Sequence, residues 1–227
     1  MVQPHTTSIG PQPAPEDARQ RLLAAGLRLF AEQGYSKTST RELADAARVN
    51  IASISYYFGD KAGLYRASFI EPMGEPEADI ARYADPGMTL AQALRGFYDS
   101  FLEPLRQGDV ARHCMKLQFR EMVEPTGLFD PHEACGIRPL HEALVQVLCR
   151  HLSVVGPDDD VARLAICLAG LGVHMHVGRD ITDQLVPGLN QGKGALDRWA
   201  DRLVMFGLAM VQAESQRRAP THSGEDA

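Results

Sequence analysis

The sequence predicts an all-α protein in which a small N-terminal helix-turn-helix domain precedes a larger helical domain. Three observations support this fold class. Apolar residues recur at three- and four-residue intervals, as on one face of an α-helix. No segment shows the alternation of apolar and polar residues that is typical of a half-buried strand. Prolines from Pro72 to Pro187 divide the chain into segments of helical length.

The composition fits a globular protein of 227 residues that can bury a hydrophobic core. No stretch reaches the roughly 18 uninterrupted apolar residues that a membrane helix requires. The N-terminus, "MVQPHTTSIGPQPAPEDA", is polar and rich in proline, unlike a signal peptide. We therefore expect a cytoplasmic protein.

The net charge of −6 is unevenly distributed along the chain. Residues 1–66 carry eight Lys/Arg against six Asp/Glu, whereas residues 67–227 carry fifteen against twenty-three. A mildly basic first third on an acidic body suits a protein whose N-terminal domain meets an anion.

The N-terminal region is predicted to be an arm followed by a first helix. Residues 1–14 hold three prolines among polar residues and lack an apolar period, so we expect them to be disordered. The helix is predicted to begin at Pro15, because proline suits the first turn and Glu16 and Asp17 complement the helix dipole. Gly34 ends its apolar pattern.

Two short helices follow, separated by only three residues. Thr40 is predicted to cap the first, which runs to Ala47, and Asn50 is predicted to cap the second, which runs to about Phe58. Helices joined by so short a turn must cross steeply, as in a helix-turn-helix pair.

The helical pattern continues to the C-terminal end of the sequence. Further helices are predicted near residues 61–72, 88–106, 109–124, 136–153, 158–179 and 194–217. Residues 218–227 are expected to form a flexible tail.

The second short helix has one apolar face and one face of small, hydroxyl-bearing and aromatic side chains. At 100° per residue, Ile54 and Phe58 share the inner face. Side chains such as those on the outer face can approach base edges in the major groove of DNA. Tyr57 and Lys61 at one end, and Thr40 at the other, can contact phosphates. The alternative is a packed helical pair that never binds DNA.

The segment "ARQRLLAAGLRLFAEQGYSKTSTRELADAARVNIASISYYFGDKAGLY" closely resembles the N-terminal DNA-binding domain of the TetR family of bacterial transcriptional regulators. The likeness runs without a gap through "LFAEQGY", "TSTRELADAA" and "YYFGDKAGLY". It implies a helix-turn-helix domain over residues 15–66 and a helical ligand-binding and dimerisation domain over residues 67–217. The later "FREMVEPTGLFD" and "IRPLHEALVQVL" are similar to the CecR-like branch of the family, which is associated with antibiotic susceptibility and efflux genes.

The resemblance implies a homodimer that binds a double-stranded DNA operator, usually as a repressor, and is released by a small-molecule effector. The residues that match base-reading positions are Arg41, Ile51, Ala52, Ser53 and Tyr56. Phosphate-contacting positions are matched by Thr40, Tyr57 and Lys61, and the cap of the recognition helix by Asn50.

Two positions depart from the pattern of the family. Arg48 stands where the turn usually holds glycine, and a positive φ there would cost about 1 kcal/mol in any other residue. Ser55 is shorter than the side chains that often occupy its position, which limits its reach to a base.

By the same resemblance, the larger domain encloses an apolar cavity for the effector. The candidate lining residues are Phe97, Phe101, Met115, Phe119, Met122, Phe129 and His174. The alternative is that these side chains belong to an ordinary core.

The last two long helices carry apolar stripes interleaved with small residues, and the resemblance implies that they form a four-helix dimer interface. The candidate interface residues are Leu164, Leu168, Leu171, Met175, Trp199, Leu203, Phe206 and Met210. The alternative is that the stripes face the core of one chain. A two-fold dimer would set two recognition helices about 34–36 Å apart and require a roughly palindromic operator.

No motif indicates an enzyme, a cofactor or a metal site. His174 and His176 point about 200° apart on a helix, so they cannot share a metal ion. The four cysteines lack CxxC spacing and are predicted to be buried thiols. Two alternative functions remain: a helical ligand- or protein-binding module that no longer acts on DNA, and an enzyme that uses Cys167 and His174.

Overall fold

The computed structural model describes residues 15–72, 76–128 and 136–219. Within these ranges the chain forms eleven α-helices and no strand, which confirms the all-α fold class. The chain divides into two compact units, residues 1–71 and 72–227. The predicted N-terminal arm and residues 220–227 of the predicted tail lie outside the described residues.

The first unit contains four helices. They are α1 (Pro15–Gln33), α2 (Thr40–Ala47), α3 (Ala52–Phe58) and α4 (Lys61–Ile70). The domain boundary predicted after residue 66 falls inside α4, because this helix buries Tyr65, Ser68 and Phe69 and ends only at Ile70. Helices α1 and α4 approach closely at Gly26, where an added Cβ would lie 2.4 Å from the Ser68 Oγ.

Three aromatic rings hold α4 against α1 and the loop that follows α1. The Tyr65 ring packs edge-on against Phe30, with ring centroids 4.9 Å apart, and against Tyr35 at 5.1 Å. Such edge-to-face pairs add about 0.5–1.5 kcal/mol beyond the burial of their area. The guanidinium of Arg19 also binds the Glu71 carboxylate at 3.0 Å, which ties the start of α1 to the end of α4.

A left-handed residue reverses the chain between α2 and α3. Arg48 has φ 53° and ψ 49°, so the strained turn anticipated from the sequence is present. Its amide donates to the Asp45 carbonyl at 3.1 Å, and the Val49 amide donates to the Ala44 carbonyl at 3.0 Å. These bonds satisfy carbonyls that the end of a helix would otherwise leave free.

The helix caps differ in part from the prediction. Ser39, not Thr40, caps α2: its Oγ accepts from the Glu42 amide, and the Glu42 carboxylate accepts from the Ser39 amide at 2.8 Å. A capping box needs Glu or Gln three positions after the cap. Ser39 has Glu42 at that position, whereas Thr40 has Leu43. Asn50 lies one residue further from α3 than predicted, yet its Oδ1 accepts from the Ala52 amide at 2.9 Å.

The second unit contains seven helices among the described residues. They are α5 (Pro76–Ile80), α6 (Leu90–Arg106), α7 (Asp109–Val123), α8 (Ile137–Leu152), α9 (Asp159–Val177), α10 (Arg179–Leu185) and α11 (Ala195–Arg218). The bounds of the six helices predicted after Lys61 agree with the structure to within two residues. The prediction missed α5 and α10, because helices of five and seven residues are too short to show a repeating pattern of apolar residues.

The core of the second unit lies between α6, α8, α9 and α11. Its fully buried side chains include Leu94 and Tyr98 on α6, Leu148 on α8 and Leu168 on α9. Gly207 allows α11 to approach this core, since an added Cβ would lie 3.1 Å from the Leu94 Cδ1 and 3.2 Å from the Leu168 Cδ2.

Helix α9 is apolar on two opposite sides. In length and hydropathy it could cross a membrane, a property that core helices of other proteins share. One side buries Val161 and Leu168 in the core. The other side exposes Ile166 and Val177, which are 63% and 54% accessible. On this exposed side, between Ile166 and Val177, a Cβ added to Gly170 would meet no atom within 4 Å.

Ion pairs join the end of α11 to the start of α9. The Arg218 guanidinium contacts both oxygens of the Asp158 carboxylate at 2.8 Å, and Arg217 contacts Asp160 at 2.6 Å. Hydrogen bonds from Arg217 and Arg218 lower the pKa of Glu214 to about 2. Asp158 also caps α9, accepting from the Val161 amide at 2.9 Å.

We predict that Arg48→Gly raises the free energy of unfolding of the first unit by about 1 kcal/mol, because glycine adopts a positive φ without a Cβ clash. Chemical denaturation, with hydrogen exchange of the α2 and α3 amides, measures the change. Arg48→Ala is the matched control, since it removes the guanidinium and keeps the strained Cβ. Equal stability of the glycine and alanine variants would contradict the prediction.

Candidate functional site

The outer face of α3 presents four exposed side chains to solvent. Ile51 is 50% and Tyr56 is 80% accessible, and Ala52 and Ser55 are exposed beside them. Ile54, on the opposite face, is 2% accessible and anchors the helix in the first unit. The face therefore offers an aliphatic group, a methyl, a hydroxyl and a phenol, a set suited to base edges in a major groove.

The two adjacent tyrosines have different environments. The Tyr57 ring is half-buried, and the Tyr56 ring packs edge-on against it with centroids 4.8 Å apart at 81°. Tyr57 thus supports Tyr56, whose ring projects from the end of the exposed face. Ser53 lies on the same flank as Tyr57 and is also half-buried.

The N-terminus of α2 leaves two donors free. The capping box satisfies the amide of Glu42, and the Leu43 amide bonds the Ser39 carbonyl at 3.1 Å. In the described part of the chain, the amides of Thr40 and Arg41 make no hydrogen bond. Free amides at a helix N-terminus favour an anion, so this end of α2 suits a phosphate group.

Lys61 lies beside the same end of α2. Its Nζ is 4.2 Å from the centroid of the Tyr35 ring, a cation–π contact. Burial lowers the pKa of Lys61, and the charge of Glu42 opposes this shift. The pKa of Glu42 is itself lowered, first by the hydrogen bond from the Ser39 amide and last by Lys61. The ammonium of Lys61 and the free amides of α2 therefore share one side of the first unit.

A close turn connects the end of α3 to the start of α4. The Asp60 carboxylate caps α4 by accepting from the Gly63 amide at 2.7 Å. A Cβ at Gly63 would lie 1.9 Å from the Phe58 carbonyl oxygen, so only glycine fits. This contact sets the position of α3 relative to Lys61.

None of the predicted DNA-binding residues is buried: Arg41, Asn50, Ile51, Ala52 and Tyr56 are exposed, and Thr40, Ser53, Tyr57 and Lys61 are half-buried. The sequence places Ser55 on the same outer face, but it was not predicted as a DNA contact; it is exposed between Ile51 and Tyr56. Helical periodicity places Ser55 on this face, so its position was readable from the sequence even though its side chain is short.

Three of the predicted effector-binding residues form one aromatic cluster around His176. The Phe97 and Phe101 ring centroids are 5.3 Å apart, and Phe119 lies 5.5 Å from the His176 ring. The His176 Nε2 bonds the Phe101 carbonyl oxygen at 2.7 Å, and burial lowers the pKa of His176. The prediction missed His176. The sequence signal that could have found it is its position two residues after His174, which places it on the opposite face of the helix.

The other predicted effector-binding residues are more scattered. Met115 is half-buried, Met122 is 42% accessible, and His174 is exposed with its ring against Gly178. Phe129 lies outside the described residues. Met122 and His174 therefore do not join the aromatic cluster.

The predicted dimer residues divide between the core and the surface. Four of them are buried in the core of one chain: Leu164, Leu168, Met175 and Leu203. Side chains that are already buried in this way leave little surface for a partner. Leu171, Trp199 and Met210 are half-buried, and Phe206 is 44% accessible. The prediction also missed Ile166 and Val177, which occupy the outer face of α9.

Comparisons with known families agree with this geometry. Residues 22–68 match the family of bacterial regulatory proteins described as the tetR family. Residues 90–210, more than half of the chain, match the C-terminal domain of the HTH-type transcriptional dual regulator CecR. The chain belongs to the TetR family. It is a member of a family of DNA-binding transcriptional regulators, which is not an enzyme family, and its C-terminal domain is of the CecR type.

Relatives and solved structures extend the family assignment. The regulator is 33% identical to CecR of Shigella flexneri over 144 residues, which are 59% of this chain and 64% of CecR. The match thus spans under two thirds of the length of that relative. Crystal structures of NalD from Pseudomonas aeruginosa (18% identity, TM-score 0.56, 87% of this chain and 98% of NalD) and of the hemolysin II regulator HlyIIR (19%, 0.59, 84% and 99%) share the fold.

We predict that Gly63→Ala destabilises the first unit by about 1–3 kcal/mol, because the new Cβ must push the Phe58 carbonyl and α3 outward. Thermal unfolding measures the loss. Ala46→Ser, which adds one atom at an exposed position of α2, is the control and is expected to be nearly neutral. Unchanged stability of the Gly63 variant would show that α3 does not depend on this close turn.

Proposed function

We propose that this regulator is a homodimeric repressor that binds a palindromic operator through two copies of α3 and leaves it when a small molecule binds its C-terminal domain. The observation that carries the proposal is the exposed face of α3, where Ile51, Ala52 and Tyr56 stand free beside the anion-binding end of α2. We place this action in the cytoplasm, where bacterial DNA lies.

In the proposed complex, α3 enters the major groove. Ile51, Ala52, Ser53 and Tyr56 contact base edges together with Arg41, and these contacts give sequence preference. Thr40, Tyr57 and Lys61 contact phosphates on either side of the groove, which positions the helix. Asn50 holds the first turn of α3 through its bond to the Ala52 amide.

The proposed dimer forms through the outer faces of α9 and α11. The exposed side chains Ile166, Val177 and Phe206, with the half-buried Leu171, Trp199 and Met210, supply an apolar surface. Gly170 has no atom near its missing Cβ, so a partner helix can approach α9 closely at this point. A two-fold axis then places the two α3 helices on successive turns of the DNA groove.

The proposed effector site lies near the aromatic cluster of Phe97, Phe101, Phe119 and His176. Phe97 is buried, and the rings of Phe101, Phe119 and His176 are half-buried. Aromatic rings around a single histidine favour a flat or apolar molecule with one hydrogen-bonding group. Burial favours the neutral imidazole, whose Nε2–H donates to the Phe101 carbonyl oxygen. The Nδ1 of His176 can therefore accept a hydrogen bond without bringing a charge into an apolar site. The effector shifts the dimer toward a DNA-free state by binding that state more tightly.

The names of two related proteins bear on whether this regulator represses or activates transcription. NalD is described as the secondary repressor of the MexAB-OprM multidrug efflux pump, and CecR as a dual regulator. A reporter gene placed behind the selected operator tests the sign: repression is expected, and activation alone would overturn it.

Selection from a random pool of duplex DNA at near-physiological salt is expected to enrich a palindrome whose half-sites lie about 10–10.5 base pairs, or a multiple of that distance, apart. Sequencing of the retained DNA measures the enrichment. If no sequence is enriched, the proposal requires that the purified protein carry a bound effector, which extraction of the protein and mass spectrometry would detect. A protein free of effector that still enriches nothing would refute operator binding.

Tyr57→Phe combined with Lys61→Ala is expected to weaken binding to all DNA sequences alike and to reduce the slope of log affinity against log salt by about one. Fluorescence anisotropy at several salt concentrations measures both quantities. Arg66→Ala, which removes an exposed charge from α4, is the control for net charge. Affinity and slope that stay at wild-type values would refute the assigned phosphate contacts.

A further inference from the structure

A short helix and a loop connect α9 to α11. Residues 178–194, called the connector below, contain α10 and the loop of residues 186–194. This loop is slightly longer than the two to eight residues that commonly join packed helices. The connector therefore presents side chains of its own beside the ends of α9 and α11.

Side-chain hydrogen bonds hold the connector in place. The Trp199 Nε1 on α11 donates to the Asn190 Oδ1 at 2.8 Å, and the Asn190 Nδ2 donates to the Asp183 Oδ1 on α10 at 2.9 Å. Arg179 pairs with the other oxygen of Asp183 at 4.0 Å. Asn190 thus links α10 to α11 and sets which side chains of the connector face outward.

Four of the side chains that the connector exposes are large and aliphatic. Ile181, Leu185, Val186 and Leu189 are 59%, 76%, 51% and 42% accessible. With Ile166, Val177, Met205 and Phe206, they are eight of the twelve large apolar side chains that the described part of the second unit exposes. Apolar surface concentrated in this way on a rigid segment is typical of an interaction site.

We propose that the connector packs against a second copy of this chain and extends the dimer interface beyond the helices α9 and α11. This inference rests on the dimer proposed above. The connector follows directly from the exposed end of α9 at Val177 and is bonded to Trp199 on the apolar flank of α11, so its surface is continuous with that interface.

The charge of the connector favours a copy of itself over a membrane or a charged partner. Residues 179–194 carry two basic residues, Arg179 and Lys193, and two acidic residues, Asp180 and Asp183. An anionic membrane surface attracts clusters of Lys and Arg, which this segment lacks. A neutral apolar patch can instead meet its own symmetry mate across a two-fold axis, because such an interface only has to be self-complementary.

The test is sedimentation equilibrium of the full-length protein over a range of concentrations. Leu185→Ser combined with Leu189→Ser is expected to raise the dimer dissociation constant at least tenfold. Asn190→Ala, which leaves the apolar side chains intact and removes their anchor, is expected to raise it in the same direction. Val123→Ser combined with Val155→Ser, at two exposed apolar positions outside the patch, is the matched control and is expected to leave it unchanged.

Two further measurements separate this inference from the dimer on which it rests. Ile166→Glu combined with Phe206→Glu, on α9 and α11, is expected to give monomers. If that variant is monomeric while both connector variants keep the wild-type dissociation constant, the connector inference is wrong and the dimer stands. A wild-type protein that is monomeric at every concentration refutes both, and flotation of that monomer with anionic vesicles would assign the patch to a membrane instead.

Discussion

The reversal of the chain at Arg48 is the constraint on which the first unit depends. A single left-handed residue, Arg48, reverses the chain, so that only four residues separate the end of α2 from the start of α3. Arg21 supports the reversal from α1, because its Nε donates to the Ala47 carbonyl at 2.9 Å. On the inner side, Leu43 and Ile54 are almost fully buried and fix the angle between the two helices. The direction of every exposed side chain on α3 follows from this crossing.

Packing and hydrogen bonds within the first unit hold the groups that meet DNA in the proposed complex. Tyr57 supports Tyr56, Tyr35 supports the ammonium of Lys61, and Ser39 with Glu42 caps α2 while leaving the first amides free. Binding sites of this kind lose little conformational entropy on association, because their side chains are ordered beforehand. The surface is therefore prepared in the free protein and needs no folding step to act.

Local signals explain why the helices of both units were predictable to within one or two residues, whereas the packing of the second unit was not. Proline, glycine and acidic residues mark the ends of α1 and α2, and periodicity alone separates Ile54 from Tyr56. The choice between Ser39 and Thr40 needed the partner Glu42. In α9 the sequence has two apolar stripes, and period alone does not tell which one enters the core. Leu164 and Leu168 were therefore predicted at the dimer interface, with the core of one chain as the alternative, and Ile166 was not included. The connector was missed because Asn190 holds it through side-chain bonds to Asp183 and Trp199, which no helical period indicates.

The two apolar sides of α9 have a consequence for how the protein behaves when it is scarce. A helix that packs into its own core on one side and against a proposed partner on the other couples folding to association. The stability of such a chain includes a contribution that grows with the logarithm of its concentration. At low abundance a newly made chain would expose Ile166 and Val177 to solvent and to the proteases and chaperones that recognise such surfaces. The number of active regulators would then fall more steeply than the number of chains synthesised.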